Sequence, residues 1–267
     1  MTGVTARDCY VPTPRGRLFA RRWAPAGTAD AAPIVILHDS LGSVEQWRDL
    51  PARLALATGR PAIAYDRLGF GRSDPNPDVL PLDFVRNESR CGLIHVREAF
   101  AVGRMVLFGH SIGGSMAIAG GAAFAADTEA VVTVAAQTFV EDRTIAGIKK
   151  AREAFRAEEQ IERLARYHGD KARWVLAAWI ETWLAPAFAN WCLDEDLRRL
   201  RCPVLAIHGD RDEYGSAAHP ARIAALAGGP VSEVLMMGRR HMPHREAPDD
   251  VLRLIAAFAG GLGAVQS

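Results

Sequence analysis

The sequence predicts an α/β protein: a mostly parallel, eight-stranded sheet with helices on both faces and a helical insertion at about residues 138–200. Three observations lead there. Short unbroken runs of Val, Ile and Leu recur and end in turn signals, as strands buried on both faces do. Helix-length segments follow most of these runs, and strand–helix–strand order makes neighbouring strands parallel. Across 138–200 the strand signal stops and amphipathic helical patterns replace it.

Taken in chain order, residues 8–24 predict an edge hairpin that turns around Pro14–Gly16. PIVILH (33–38) is the first buried strand, followed by a helical pattern at 44–57. RPAIAYD (60–66) is the next, followed by a loop and a helix across 81–101. RMVLFG (104–109) leads into an apolar helix at 112–126, and AVVTVAA (130–136) follows it. PVLAIHG (203–209) precedes a helix near 219–228, and SEVLMM (232–237) precedes a final helix at 248–259. Two segments, 1–137 and 201–267, therefore form the core, with 138–200 as a helical cap. Four of the six tryptophans fall in that cap: Trp174, Trp179, Trp183 and Trp191. Trp179 and Trp183 are four apart and share a helical face. Such rings either glue the cap to the sheet or line an apolar pocket beneath it.

Composition excludes several classes. Apolar residues are 49% and charged residues 24% of the 267, an ordinary globular balance. Lys plus Arg count 32 against 31 acids, so no overall field draws in nucleic acid or an anionic membrane. Cys9, Cys91, Cys192 and Cys202 form no CxxC pair, which reads as reduced thiols rather than a disulfide framework or metal site. The opening MTGVTARDCYVPTPRGR has no apolar h-region, and the apolar 112–126 is too short and glycine-rich to span a bilayer. The expectation is a cytoplasmic protein, monomer or homodimer, acting on a small molecule.

The stretch VLFGHSIGGSMAI (106–118) sets Ser111 in the turn between a strand and a helix. A turn that sharp strains its central residue, and side chains two positions away would collide with the strand or helix. Gly109 and Gly113 remove those collisions, and Gly114 adds room. The hydroxyl then sits at the C-terminal sheet edge, where open α/β folds bind ligands, and at a helix N-terminus that favours negative charge. A serine hydroxyl is a poor nucleophile until a base, itself held by an acid, accepts its proton. Two downstream loops leave strands on the same edge: GDRD (209–212) and GRRHMPH (238–244).

With LHDSLGS (37–43), YDRLGFGRSD (65–74), GHSIGG (109–114), HGDRDEYG (208–215) and HMPHREAPDDV (241–251) in order, the sequence resembles the α/β-hydrolase family of serine enzymes over nearly its whole length. The resemblance implies Ser111 as nucleophile, Asp212 as acid and His241 as base. Asp210 and Glu213 are the rival acids, and His244 the rival base. His110 and His208 read as structural histidines. The oxyanion hole comes from two backbone amides, Ile112 and Ser40, with Leu41 as the alternative to Ser40. Asp39 stands where the family has glycine. Its carboxylate is expected to point away from the site and tie the loop down. Arg239 and Arg240 read as a solvent-facing basic pair, and Arg72 and Ser73 as partners of the local backbone. Leu41, His110, Phe139, Trp179, Trp183 and Met242 are candidate substrate contacts. No metal or cofactor is implied. The resemblance implies cleavage of a small to medium carboxylic ester through an acyl-enzyme. The alternatives are hydrolysis of a carbon–carbon bond in a dienone-type product and a non-catalytic ligand-binding member of the fold.

Overall fold

The computed structural model describes residues 3–27 and 31–262; the expected core's ends, 1–2 and 263–267, lie outside them, as do 28–30. Strands β1 (Val4–Thr13) and β2 (Gly16–Pro25) form an antiparallel hairpin in which Thr13 pairs with Gly16. Then come β3 (Ile34–Leu37), β4 (Ala62–Tyr65), β5 (Met105–His110), β6 (Thr128–Val134), β7 (Val204–Gly209) and β8 (Val231–Met236). They lie in the order β1-β2-β4-β3-β5-β6-β7-β8. β2 meets β4 antiparallel, and every pair from β4 to β8 is parallel.

Successive side chains on a strand face opposite sides of the sheet. Val35 and Leu37 accordingly join one apolar cluster, and Ile34 and Ile36 the other. Helices cover both faces, so both sets are apolar and the strand reads as an unbroken run. β8 differs. It is the sheet edge, with Leu235 39% exposed, because only one neighbour covers it.

The helices are α1 (Leu50–Thr58), α2 (Phe84–Glu88), α3 (Ile94–Ala99), α4 (Ile112–Ala123), α5 (Asp142–Ala154), α6 (Glu158–His168), α7 (Ala172–Leu184), α8 (Asp194–Arg199), α9 (Ala218–Leu226), α10 (Pro243–Glu246) and α11 (Pro248–Leu262). A single helix over 44–57 is not what forms. A short 3₁₀ turn at Glu45–Trp47 stops where Arg48 adopts φ 55°, and α1 begins afresh with Pro51 in its first turn, where a missing N–H costs nothing. The expected helix at 81–101 is α2 and α3 joined by a π-turn at Ser89–Leu93.

Helices α5 to α8 lie between β6 and β7. The chain leaves and re-enters the sheet layer beside itself, where Phe139 bridges Cys192. Trp183, Phe188 and Trp191 pack ring on ring, 5.2–5.8 Å between centroids. Trp174 packs edge-on against Phe70 at 5.5 Å and donates its indole N–H to the Asp78 carbonyl. Among the described residues no helix is long and apolar enough to cross a membrane.

Candidate active site

Ser111 occupies the junction of β5 and α4 with φ 55° and ψ −128°, a strained conformation for a residue with a side chain. The close approach is visible at its flanking glycines. A Cβ at Gly109 would run into the Gly113 carbonyl, and one at Gly113 into the Leu37 carbonyl. These small residues let strand and helix meet at an angle that pushes the Ser111 hydroxyl up from the sheet edge.

His241 follows β8 and Asp212 follows β7. The His241 ring sits between the other two. Its Nε2 is 3.0 Å from Ser111 Oγ, and its Nδ1 is 2.8 and 2.9 Å from the Asp212 carboxylate oxygens. All three residues are buried. Nδ1 donates to the carboxylate, so the Nε2 lone pair is free to accept the serine proton. Burial alone would lower the His241 pKa, but the Asp212 bond and charge outweigh it and raise it above the ordinary imidazole value. Burial likewise opposes ionisation of Asp212, yet bonds from His208 and His241 hold its carboxyl well below the usual range. Such a chain can draw a proton from Oγ and stabilise the imidazolium that results.

The neighbouring acids do other work. Asp210 accepts the Gly238 amide, and Glu213 accepts the His241 amide at 3.3 Å. Asp212 is the one turned inward, gripped by the Tyr214 and Gly215 amides and by His208 Nε2 at 3.1 Å. His244 packs against Trp47 and His110 and makes no contact with Ser111. Arg240 is exposed; its amide donates to Glu246, which also accepts from the Met242 amide and so brackets the His241 loop.

Asp39 does tie its loop down, but it also lines the cavity shared by Ser111 and His241 and so is not turned away from the site as expected. One oxygen accepts the Leu41 amide at 2.9 Å and the other faces His110 Nδ1 at 3.1 Å. That occupies the Leu41 amide, while Ser40 beside it lines the cavity at Ser111. Burial lowers the His110 pKa below the ordinary imidazole value, although the Asp39 bond and charge pull the other way. Both ring nitrogens face oxygen acceptors, so the pairing that holds Asp39 well below its ordinary value fits the geometry.

Ser111 and His241 open onto a cavity of about 270 Å³. Ile148, Phe155, Leu164, Trp179 and Trp183 form its apolar wall, and Ser40, Leu41, His110 and Met242 reach it near the serine. Phe139 does not. Its ring lies 4.6 Å from that of His219 and under Arg222, because it sits where the insertion leaves the sheet and is drawn into that joint. Ser73 bonds backbone as expected, donating to the Asp66 carbonyl and accepting the Phe19 amide. The Arg72 guanidinium instead pairs with Asp8 and stacks on Phe19, both on the β1–β2 hairpin.

Two residues of the site had no signal in the sequence. Gln137, just past β6, is buried with its Oε1 3.2 Å from Ser111 Oγ. His168, at the end of α6, accepts the Gly71 amide and donates to the Leu41 carbonyl, binding the insertion to the loop after β3. Neither belongs to a recognisable motif; only the folded chain brings them in.

Fold and site together define a serine-centred member of the α/β class. A profile of the alpha/beta hydrolase family matches residues 34–254, and the chain belongs to that family. Over 92 residues it is 33% identical to an sn-1-specific diacylglycerol lipase, ABHD11, of Danio rerio, a match covering 34% of this chain and 27% of that protein. It is 29% identical over 109 residues to a proline iminopeptidase of Lactobacillus delbrueckii subsp. lactis, covering 41% and 36% of the two. The match thus spans about a third of these curated relatives' length. Among solved structures, naproxen esterase from Bacillus subtilis superposes with TM-score 0.72 at 18% identity, covering 96% of this chain and 92% of that one. Proline iminopeptidase from Mycobacterium smegmatis superposes with TM-score 0.71 at 18% identity, covering 98% and 100%. At that identity the likeness is one of fold.

Proposed function

We propose that the protein hydrolyses small to medium carboxylic esters through an acyl-enzyme formed on Ser111. The observation that carries this reading is the continuous hydrogen-bonded path from Ser111 Oγ through His241 to Asp212. His241 takes the serine proton as Oγ attacks the acyl carbon. The Ile112 and Ser40 amides receive the charge that develops on the carbonyl oxygen. His241 then gives its proton to the departing alkoxide; in the second half it takes a proton from the water that attacks the acyl carbon and passes it to Ser111 Oγ as the acyl bond breaks, which releases the acid and restores the serine hydroxyl. Asp212 fixes the imidazole tautomer throughout. The apolar wall of the cavity favours an uncharged acyl chain, and its modest volume favours a short one.

The test is hydrolysis of p-nitrophenyl acetate and butyrate by purified protein, with labelling by a fluorophosphonate. Turnover with label on Ser111, and loss of both in a folded Ser111→Ala variant, support the reading. A Ser111→Ala variant that hydrolyses at the wild-type rate removes Ser111 from the chemistry.

A further inference from the structure

Ser111 has one hydroxyl proton and two acceptors facing it: His241 Nε2 at 3.0 Å and Gln137 Oε1 at 3.2 Å. It cannot donate to both. A hydroxyl that gives its proton to Gln137 is turned away from the base and is not ready to react. The conflict disappears if the Gln137 carboxamide turns by half a rotation, which exchanges its oxygen and nitrogen with almost no change of shape. Nε2–H then donates to a lone pair of Ser111 Oγ, and the Ser111 proton goes to His241.

Nothing else in the site opposes that rotation. Among the described residues neither end of the carboxamide bonds any group other than Ser111. The main chain of Gln137 is held independently, its carbonyl accepting the Ser115 hydroxyl. Gln137 lines the cavity yet is itself only 2% exposed, so the amide is held beside Oγ. A carboxamide has a donor at one end and an acceptor at the other. It can therefore serve the neutral hydroxyl and the developing alkoxide alike, which a carboxylate or an alkyl group cannot.

We propose that Gln137 is a further catalytic residue: it donates an N–H to Ser111 Oγ, directs the hydroxyl proton at His241 Nε2 and stabilises the negative charge on Oγ as that proton leaves. The inference rests on the serine-hydrolase reading above. No proton moves to or from Gln137. The Ser111 proton passes to His241, and the Gln137 N–H bond strengthens as Oγ gains charge.

The experiment compares wild type with Gln137→Leu and Gln137→Glu on p-nitrophenyl butyrate. Active sites are counted by fluorophosphonate labelling, and thermal melts report folding. Gln137→Leu is expected to lower kcat about tenfold with KM little changed, the scale of one lost hydrogen bond to a reacting atom. Gln137→Glu keeps the shape but, once ionised, can only accept. Its kcat, taken as a fraction of wild type at the same pH, is expected to fall below that of Gln137→Leu as pH rises, and to recover toward acid as the carboxyl regains a proton to donate. A residue that merely fills space would give the opposite order, with the isosteric Glu nearer wild type at every pH. A Gln137→Leu kcat within twofold of wild type, or a Gln137→Glu pH profile that overlays the wild type, overturns the assignment while leaving the hydrolase intact. A wild-type protein that neither turns over esters nor takes the label ends both.

Discussion

The His110 imidazole donates from Nε2 to the His241 carbonyl oxygen at 2.8 Å, while its Nδ1 faces Asp39 Oδ2 at 3.1 Å. One buried ring at the end of β5 thus links the loop after β3 to the loop after β8. The aspartate that replaces the family's glycine is the far end of that link. Nearby, Glu213 and Glu246 hold amides at and on either side of residue 241. The His241 backbone is therefore fixed independently of its ring.

His110→Phe keeps an aromatic ring in the packing against Trp47 and His244 but removes both hydrogen bonds and leaves Asp39 without its partner. Ester hydrolysis is expected to fall in kcat/KM by about tenfold or more, on the scale of a lost buried bond, with Ser111 still open to the fluorophosphonate. Unchanged kcat/KM in the folded variant contradicts a linking role for His110.

The acidic limb of the rate profile reports His241. The base must be neutral to accept the Ser111 proton, and its pKa is raised above the ordinary value because Asp212 outweighs burial. The plot of kcat/KM against pH is expected to rise with a midpoint above about 6.5, the free imidazole value. Asp212→Asn should shift that midpoint down and cut turnover by roughly 10³–10⁴. A wild-type midpoint at or below the free value contradicts the Asp212 contribution.

Strain at Ser111 predicts a trade between stability and activity. Its φ of 55° is a conformation that glycine adopts freely. Ser111→Gly is expected to abolish hydrolysis and to raise stability in denaturant by about 1 kcal/mol, the low end of what such a conformation stores. A Ser111→Gly protein less stable than Ser111→Ala in urea unfolding would refute stored strain at this turn.

Asp66 predicts a stability effect apart from catalysis. Its buried carboxyl accepts the Val44 and Arg72 amides, yet desolvation dominates and raises its pKa to about 6. The folded state therefore holds this proton to higher pH than the unfolded state, whose value is about 3.9. Between roughly pH 4 and 6 the folded form binds more protons, so stability falls as pH rises through that window. Asp66→Asn, though less stable overall because one amide loses its acceptor, should lack that slope. Urea midpoints measured from pH 4 to 7 decide it: an Asn variant with the wild-type slope assigns the effect elsewhere.

Much of the fold was legible because short-range patterns carried it. A strand covered on both faces must be apolar at every position, so β3 to β7 stood out as unbroken runs. The tight β5–α4 turn required its glycines, so Ser111 could be placed at the sheet edge. Where two signals competed, the pattern misled. The helical period at 44–57 hid the break at Arg48, and the run at β8 was grouped with the buried strands although Ser232 and Glu233 mark it as the edge strand it is. Phe139, a candidate substrate contact, turns its ring to the His219 side of the joint instead.

By itself the sequence determined the layered α/β class, the strained serine turn and the motifs whose order makes the family recognisable, because each depends on neighbours a few residues apart. Asp212 and the loop-tying role of Asp39 were already implied by the family's motifs; that Gln137 and His168 join the site was decided by tertiary structure alone. Those contacts span from 26 to 127 residues. No local period or motif encodes a distance across the sheet edge; it is set by how the strands order and how the helices settle over them.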